Sequence, residues 1–389
     1  MDEDALIIAR DKFSDKNINA SFNSEIDKWD TKTFLDKAKV TIKGKITRTA
    51  ILLLGKPESV HYLLPSVSEI TWKLDTDQKA YEHFGLPFFL NTTKVLQRIR
   101  NYQYKFFPDN QLLSVSVNKY EPRVILEALH NAIAHQDYSK NARIIVTEKT
   151  GKLIFQNAGG FFSGNPEEYF LGDKTPDRYR NPWLVKAMAN LGMIDTMGYG
   201  IHTMTLEQKN RYFPLPDYSK SNSEKVILEI FGREIDLNYS KMLMKKSDLD
   251  LQTVILLDRV QKNLSLTKDA VSLLRKQKLI EGRKPNYFVS AFIAKVTGQK
   301  ASYTKNKAFD KPWYLEMILK AIKEHGFLER KDVDELLMEK LSELLNEKQK
   351  KKKISNLLSE LVKQGKIMNI GTSRNSKWEK TPSGKITKK

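Results

Sequence analysis

A chain of 389 residues is too long for one ordinary domain, and a hydrophobic content of 40% suits globular units. The absence of cysteine excludes disulfides, thiolate metal sites and cysteine nucleophiles, and fits a cytoplasmic protein. A formal charge of +19 makes a polyanion, nucleic acid first, the expected partner. No apolar run is long enough to cross a membrane, and the acidic start Met1-Asp-Glu-Asp is no signal peptide.

Residues 1–120 read as a mixed α/β region. The segment before Lys39 is polar, shows little core and reads as a connector. Thr49 to Gly55 is a buried strand or short helix, closed by Gly55-Lys-Pro57. Val67 to Lys73 alternates in strand fashion, and Thr92 to Arg100 reads as a helix.

Residues 121–235 form a second unit. It opens with Glu127-Ala-Leu-His-Asn-Ala-Ile-Ala-His-Gln-Asp-Tyr138. On a 3.6-residue helix, Leu126, Leu129 and Ile133 make a buried stripe, while Glu127, Asn131 and His135 recur every four residues on another face. A carboxylate, an amide and an imidazole so stacked can serve a metal, a water or a phosphate; a solvated face would carry the same pattern. Arg143 to Glu148 and Lys152 to Gln156 are strands, with Thr150-Gly151 as the hairpin turn. Asn157-Ala-Gly-Gly160 then breaks the chain. Asn181-Pro182 opens a helix through Asn190, Gly198-Tyr-Gly200 leads into another near Ile201, and Val226 to Phe231 closes the unit as a strand. A strand followed by Gly-Gly lets backbone approach a ligand, and Gly-x-Gly before a helix offers free N–H groups and a dipole to an anion.

The last third reads as two copies of one architecture, residues 236–300 and 305–389. Gln252 to Gln261 and Lys268 to Gln277 are helices that precede a hairpin spanning Leu279 to Ser290. Helices at Trp313 to Glu324, Lys331 to Leu341 and Lys350 to Gln364 precede strands at Lys366 to Ile370 and Ser376 to Glu379. Helices followed by a small hairpin describe a winged helix.

The segment Glu127 to Tyr138, with Asn157-Ala-Gly-Gly160, Tyr179-Arg-Asn-Pro182 and Gly198-Tyr-Gly-Ile201, resembles the ATP-binding module of bacterial transcriptional regulators similar to the carboxyl end of RecG helicases. That module is a divergent member of the superfamily containing gyrase, histidine kinases and MutL. The resemblance extends to Ile280 to Asn286 and Asn369 to Arg374. It implies an α+β multidomain chain: a divergent Bergerat (GHKL-like) α/β sandwich at 121–235, winged helices at 236–300 and 305–389, and, at 1–120, a remnant of the Schlafen-like Alba-type domain found in the family.

The resemblance also implies roles. Glu127 would orient or deprotonate the attacking water, and Asn131 would ligate Mg2+ as a hard oxygen donor. Gly198 and Gly200 match the second glycine box, which wraps the phosphates. Asn157, with Gly159 and Gly160 beside it, stands where the superfamily has an Asp that accepts from the adenine amino group; a neutral amide is a weaker acceptor. His135 and Asp137 read as local hydrogen bonding or helix termination. There is no G-x-x-x-x-G-K-[ST] loop, so no helicase motor is expected.

The basic run Lys350, Lys351, Lys352 and Lys353 lies at the start of the expected recognition helix, with Arg374 and Lys377 at the wing. Arg275, Lys276, Arg283 and Lys284 occupy equivalent places in the first copy. Such cations contact phosphate, which supplies affinity more than sequence choice. The expectation is a cytoplasmic regulator that binds ATP or a related nucleotide with Mg2+ and binds double-stranded DNA, with a homodimer or higher oligomer as its candidate assembly. A slow Mg-dependent ATPase using Glu127, and an interaction scaffold with a degenerate nucleotide site, as in phage defence, are the alternatives.

Overall fold

The computed structural model describes residues 1–106, 115–290, 311–338, 341, 346–372 and 376–381. The chain divides into two compact units, Met1–Leu264 and Ser265–Lys389.

The first unit is built on a five-stranded sheet in the order β2-β1-β5-β6-β7. Its strands are β1 (Ile70–Asp75), β2 (Lys79–Phe84), β5 (Ile144–Lys149), β6 (Lys152–Ala158) and β7 (Lys225–Phe231); β3 (Gln103–Phe106) and β4 (Val115–Asn118) pair separately. Only β1 and β5 run parallel. The sheet therefore takes two strands from before residue 121, and the expected boundary at 120/121 cuts through it. Parallel pairing needs a long crossover and leaves no local turn signal to read.

The segment before Lys39 is not a connector. Helices α1 (Glu3–Lys16) and α2 (Thr31–Lys37) bury Ala5, Ala9, Phe13, Phe34 and Leu35 in the main core. Its aromatic residues supply the apolar area that composition hid: Phe13 meets Phe34 edge-on at 5.8 Å, and Phe22 stacks on Trp29 at 5.7 Å. The Arg10 guanidinium donates to the carbonyls of Ile26 (2.7 Å) and Trp29 (2.9 Å), satisfying backbone of an irregular stretch. The ambiguous apolar run is helix α3 (Arg48–Leu54), capped by the Thr47 hydroxyl and filling the core with Leu53 and Leu54. Helix α4 (Phe88–Arg98) follows β2.

Helix α5 (Pro122–His135) starts with proline at a first-turn position and buries Ile125, Leu129 and Ile133. The buried stripe is thus the 125/129/133 row; Leu126, placed there from sequence, is half-buried. Along β6 the period of two sends Leu153, Phe155 and Asn157 to one buried face, so the amide of Asn157 lies on the side that α5 covers. Helices α6 (Pro182–Asn190) and α7 (Tyr199–Asn210) pack against α5.

Helices α8 (Leu237–Lys245) and α9 (Leu251–Gln261) belong to this unit too, so the expected copy at 236–300 is divided at residue 264. Buried polar contacts hold them there. Ser240 donates to the Tyr212 carbonyl at 2.6 Å, and Asp258 accepts from the Leu215 N–H at 2.9 Å. Lys262 pairs with Asp258 at 2.6 Å with both side chains 6% exposed.

The second unit contains α10 (Lys268–Lys276) and the hairpin β8 (Ile280–Arg283) with β9 (Asn286–Val289). It continues as α11 (Lys311–His325), β10 (Phe327–Glu329), α12 (Arg330–Met338), α13 (Glu347–Lys363), β11 (Ile367–Asn369) and β12 (Lys377–Lys380). The three strands form an antiparallel sheet in the order β10-β12-β11. Tyr314, Ile318, Val333, Ile354, Leu358, Leu361 and Trp378 form its core. No helix among the described residues is long and apolar enough to cross a membrane.

Candidate functional site

In the first unit α5, the end of β6, the start of α7 and the segment 161–181 enclose a cleft of about 950 Å³, counting its open mouth. Glu127, Asn131 and His135 line it from α5, Asn157 and Phe155 from β6, and Gly198, Gly200 and Ile201 from the head of α7. Phe161, Phe162, Tyr169, Arg178 and Tyr179 form the outer wall, a contribution that helix and strand periodicity cannot register. The face that could have been wet is the wall of a cavity.

The Asn131 amide donates to Glu127 Oε1 at 3.0 Å. A carboxylate only accepts, so the Asn131 NH2 is committed to it and the amide oxygen is left for a ligand. Burial, aided by nearby Asp195, raises the Glu127 carboxyl above its ordinary range; the Asn131 hydrogen bond and Arg123 oppose this. An acid so shifted is a better base near neutrality.

Gly198 is the N-cap of α7 at φ +87°, a conformation side chains resist, and no side chain caps the helix. The first N–H groups of α7 are therefore without a side-chain partner beside Glu127 and Asn131. Gly200 lies within the first turn. Any Cβ on it would overlap Glu127 Oε1, so its backbone packs directly on the carboxylate.

The first glycine pair acts differently from expectation. Gly159 N–H donates to the Glu224 carbonyl (2.8 Å) and Gly160 N–H to that of Ser223 (3.0 Å), extending strand pairing toward β7. Gly160 borders the cleft; Gly159 backs onto Arg180 and Asp137 instead. Asn157 is buried, and its amide nitrogen donates to the Ala158 carbonyl at 3.2 Å.

The Tyr179-Arg-Asn-Pro182 segment is a clip. Asn181 donates to the carbonyls of Ala134 (3.0 Å) and Gln136 (2.8 Å), which the end of α5 leaves without helical partners. Arg180 donates to the Gly160 carbonyl (2.9 Å), pairs with Asp137 (3.4 Å) and covers the Phe162 ring (4.9 Å). Asp137 also accepts from the Ser139 N–H and hydroxyl, so it caps the short 3-10 turn Tyr138–Lys140 that follows α5 and does not line the cleft.

Burial depresses His130 and His135 to about 4. Their neutral forms favour the folded state, so this stabilisation is complete above about pH 6.5 and is lost as pH falls toward 4. For His130, buried and bonded to the Met193 carbonyl at 2.7 Å, the effect is about 3 kcal/mol. Urea midpoints at pH 7 and pH 4.5 should differ accordingly, and the difference should shrink in His130→Leu.

In the second unit three of the four clustered lysines are already engaged. Lys350 donates to the Met338 carbonyl (3.0 Å), Lys351 pairs with Glu347 (2.6 Å), and Lys353 lies over the Tyr314 ring (5.1 Å). Lys352 is exposed, as are Arg275, Lys276, Arg283 and Lys284. Arg275 also donates to the Gly282 carbonyl (2.7 Å), and Lys377 sits on the Phe327 ring. Arg374 lies outside the described residues. The run begins in the second turn of α13, after a capping box of Asn346 and Gln349, not at its tip.

No curated protein matches the chain. Among solved structures, the DIP2311 protein from Corynebacterium diphtheriae aligns over 97% of this chain and 67% of its own at 15% identity, with a TM-score of 0.48, a likeness too distant to carry an argument. Residues 1–70 match a family described as "Domain of unknown function (DUF8451)". Residues 141–228 match "Putative ATP-dependent DNA helicase recG C-terminal", a span that holds Asn157 to Gly160 and Gly198 to Gly200 but begins after Glu127 and Asn131. This part of the chain is thus similar to a RecG-carboxyl-terminal, ATPase-type module.

Proposed function

We propose that the cleft binds ATP or a related nucleotide with Mg2+, in a divergent GHKL-like module that regulates a DNA-binding protein. The observation that carries this is one cleft holding the Glu127–Asn131 pair, the side-chain-uncapped start of α7 and Asn157 together. The free N–H groups of α7 suit phosphate oxygens. The Asn131 oxygen suits Mg2+, which would neutralise phosphate charge there. The aromatic wall suits a purine face, and the Asn157 carbonyl, with its NH2 turned to Ala158, suits an exocyclic amine. Titration calorimetry with ATP and Mg2+ tests it. Wild type should bind and Asn131→Ala should lose at least about tenfold in affinity, about 1.4 kcal/mol. No binding to wild type at millimolar ATP overturns the reading.

A slow ATPase is the second reading, favoured by the buried, upward-shifted Glu127. Equal phosphate release by wild type and Glu127→Gln would remove it. The DNA-binding part is proposed for the second unit. Its support is the order helix, strand, helix, helix, hairpin with strands β10-β12-β11, which is that of a winged helix with α13 as recognition helix. In the same unit α10 and the β8–β9 hairpin, with Arg283 and Lys284 at its turn, offer a further basic surface for phosphate contact.

A further inference from the structure

Between Lys32 and Arg48 the first unit carries Lys32, Lys37, Lys39, Lys43, Lys45 and Arg48 against one carboxylate, Asp36. All six cations are exposed, and none has an ion pair among the described residues.

The backbone here is a built turn. Asp36 accepts from the Thr41 hydroxyl (2.5 Å) and the Gly44 N–H (2.9 Å), so its charge is spent on folding the turn. Ile42 and Lys45 bridge, and the Thr47 hydroxyl donates to the Val40 carbonyl at 2.6 Å. The Lys32 stem crosses Gly44 so closely that a Cβ there would meet its Cδ at 2.8 Å. Lys39 (φ 62°) and Lys43 (φ 50°) hold left-handed backbone, where glycine or asparagine would be less strained. The base of the turn is fixed too, because Asn190 donates to the Ala38 carbonyl at 3.2 Å. Ile42 and Ile46 stand out between the cations at 47% and 66% exposure.

We propose that this turn is a second, sequence-independent contact for duplex DNA: Lys32, Lys39, Lys43, Lys45 and Arg48 bind phosphates, and Ile42 packs against sugars and base edges. A fixed cluster of free cations supplies affinity by counterion release, and protruding aliphatic tips between such cations suit a groove. The rigid frame favours a duplex over a lipid surface, which would accept the same charges on a mobile chain.

The test is anisotropy of a labelled random-sequence duplex with the full chain, over a range of salt. It compares wild type, Lys39→Gln/Lys43→Gln/Lys45→Gln, and the same positions changed to Arg. Both sets are also made in an Arg283→Gln/Lys284→Gln/Lys352→Gln background. The Gln triple should lower the slope of log K against log salt by about 3 and weaken binding between about tenfold and a hundredfold near physiological salt. The Arg triple should stay near wild type. Unchanged affinity and slope in both backgrounds would overturn the proposal. So would loss of binding to phosphatidylserine vesicles with DNA binding intact. The calorimetric outcome with ATP bears on neither result.

Discussion

For the proposed nucleotide site, Gly200→Ala is expected to abolish most of the affinity while leaving the protein folded. The added methyl falls on Glu127 Oε1 and within 3.4 Å of Asn131 Nδ2. The carboxylate can swing, since it is the end of a flexible side chain, so the helices need not part. It cannot swing and keep its 3.0 Å bond to Asn131. The amide oxygen then loses its fixed direction, and the variant should resemble Asn131→Ala, with about ten- to a hundredfold weaker binding, or 1.4–2.7 kcal/mol. A double-mutant cycle makes this specific. With Glu127→Ala already in place the clash is gone, so Gly200→Ala should add little. Additive losses in calorimetry would show that Gly200 acts some other way.

Lys262→Met should cost far more stability, about 3–5 kcal/mol, because it strands the Asp258 carboxylate in the interior. Burial already pushes Asp258 upward, and Lys262 is its opposing charge. The lysine also donates to the Leu215 carbonyl at 2.7 Å, so the chain before β7 loses a partner as well. Asp258→Leu combined with Lys262→Met should recover part of the loss, with the Leu215 N–H left as the residual cost. Urea denaturation of both variants decides it; Lys262→Met within about 1 kcal/mol of wild type would mean that the pair is not sealed from water.

Much of this molecule could be read in advance where the signal was local. The α5 helix, the β5–β6 hairpin around Thr150-Gly151 and the Pro182 helix start each rest on a short-range rule, and each formed within a few residues of its expected place. The geometry of the candidate site was legible for the same reason. Glu127 and Asn131 are one turn apart, and Gly198 precedes its helix directly. What was missed depends on distant chain. The parallel pairing of β1 with β5 joins segments some seventy residues apart. The aromatic wall comes from irregular backbone that has no period. Asn181 could be read only as the residue that opens a helix, because its partners, the carbonyls of Ala134 and Gln136, cannot be seen until the end of α5 is built. The lysine run at 350–353 carried the opposite error. Its charge was obvious, but its engagement by Glu347, Met338 and Tyr314 was not.

The bond from Arg180 to the Gly160 carbonyl pins together the two ends of the twenty-odd residues that wall the cleft. Strand β6 and helix α6 are thereby joined without reference to what lies between. Extra residues inserted in the wall would lengthen a loop already closed at its base, and that entropy grows only with the logarithm of length. The same sheet and Glu127–Asn131 pair could thus carry walls of very different size, so a change in ligand size could be accommodated by the wall alone.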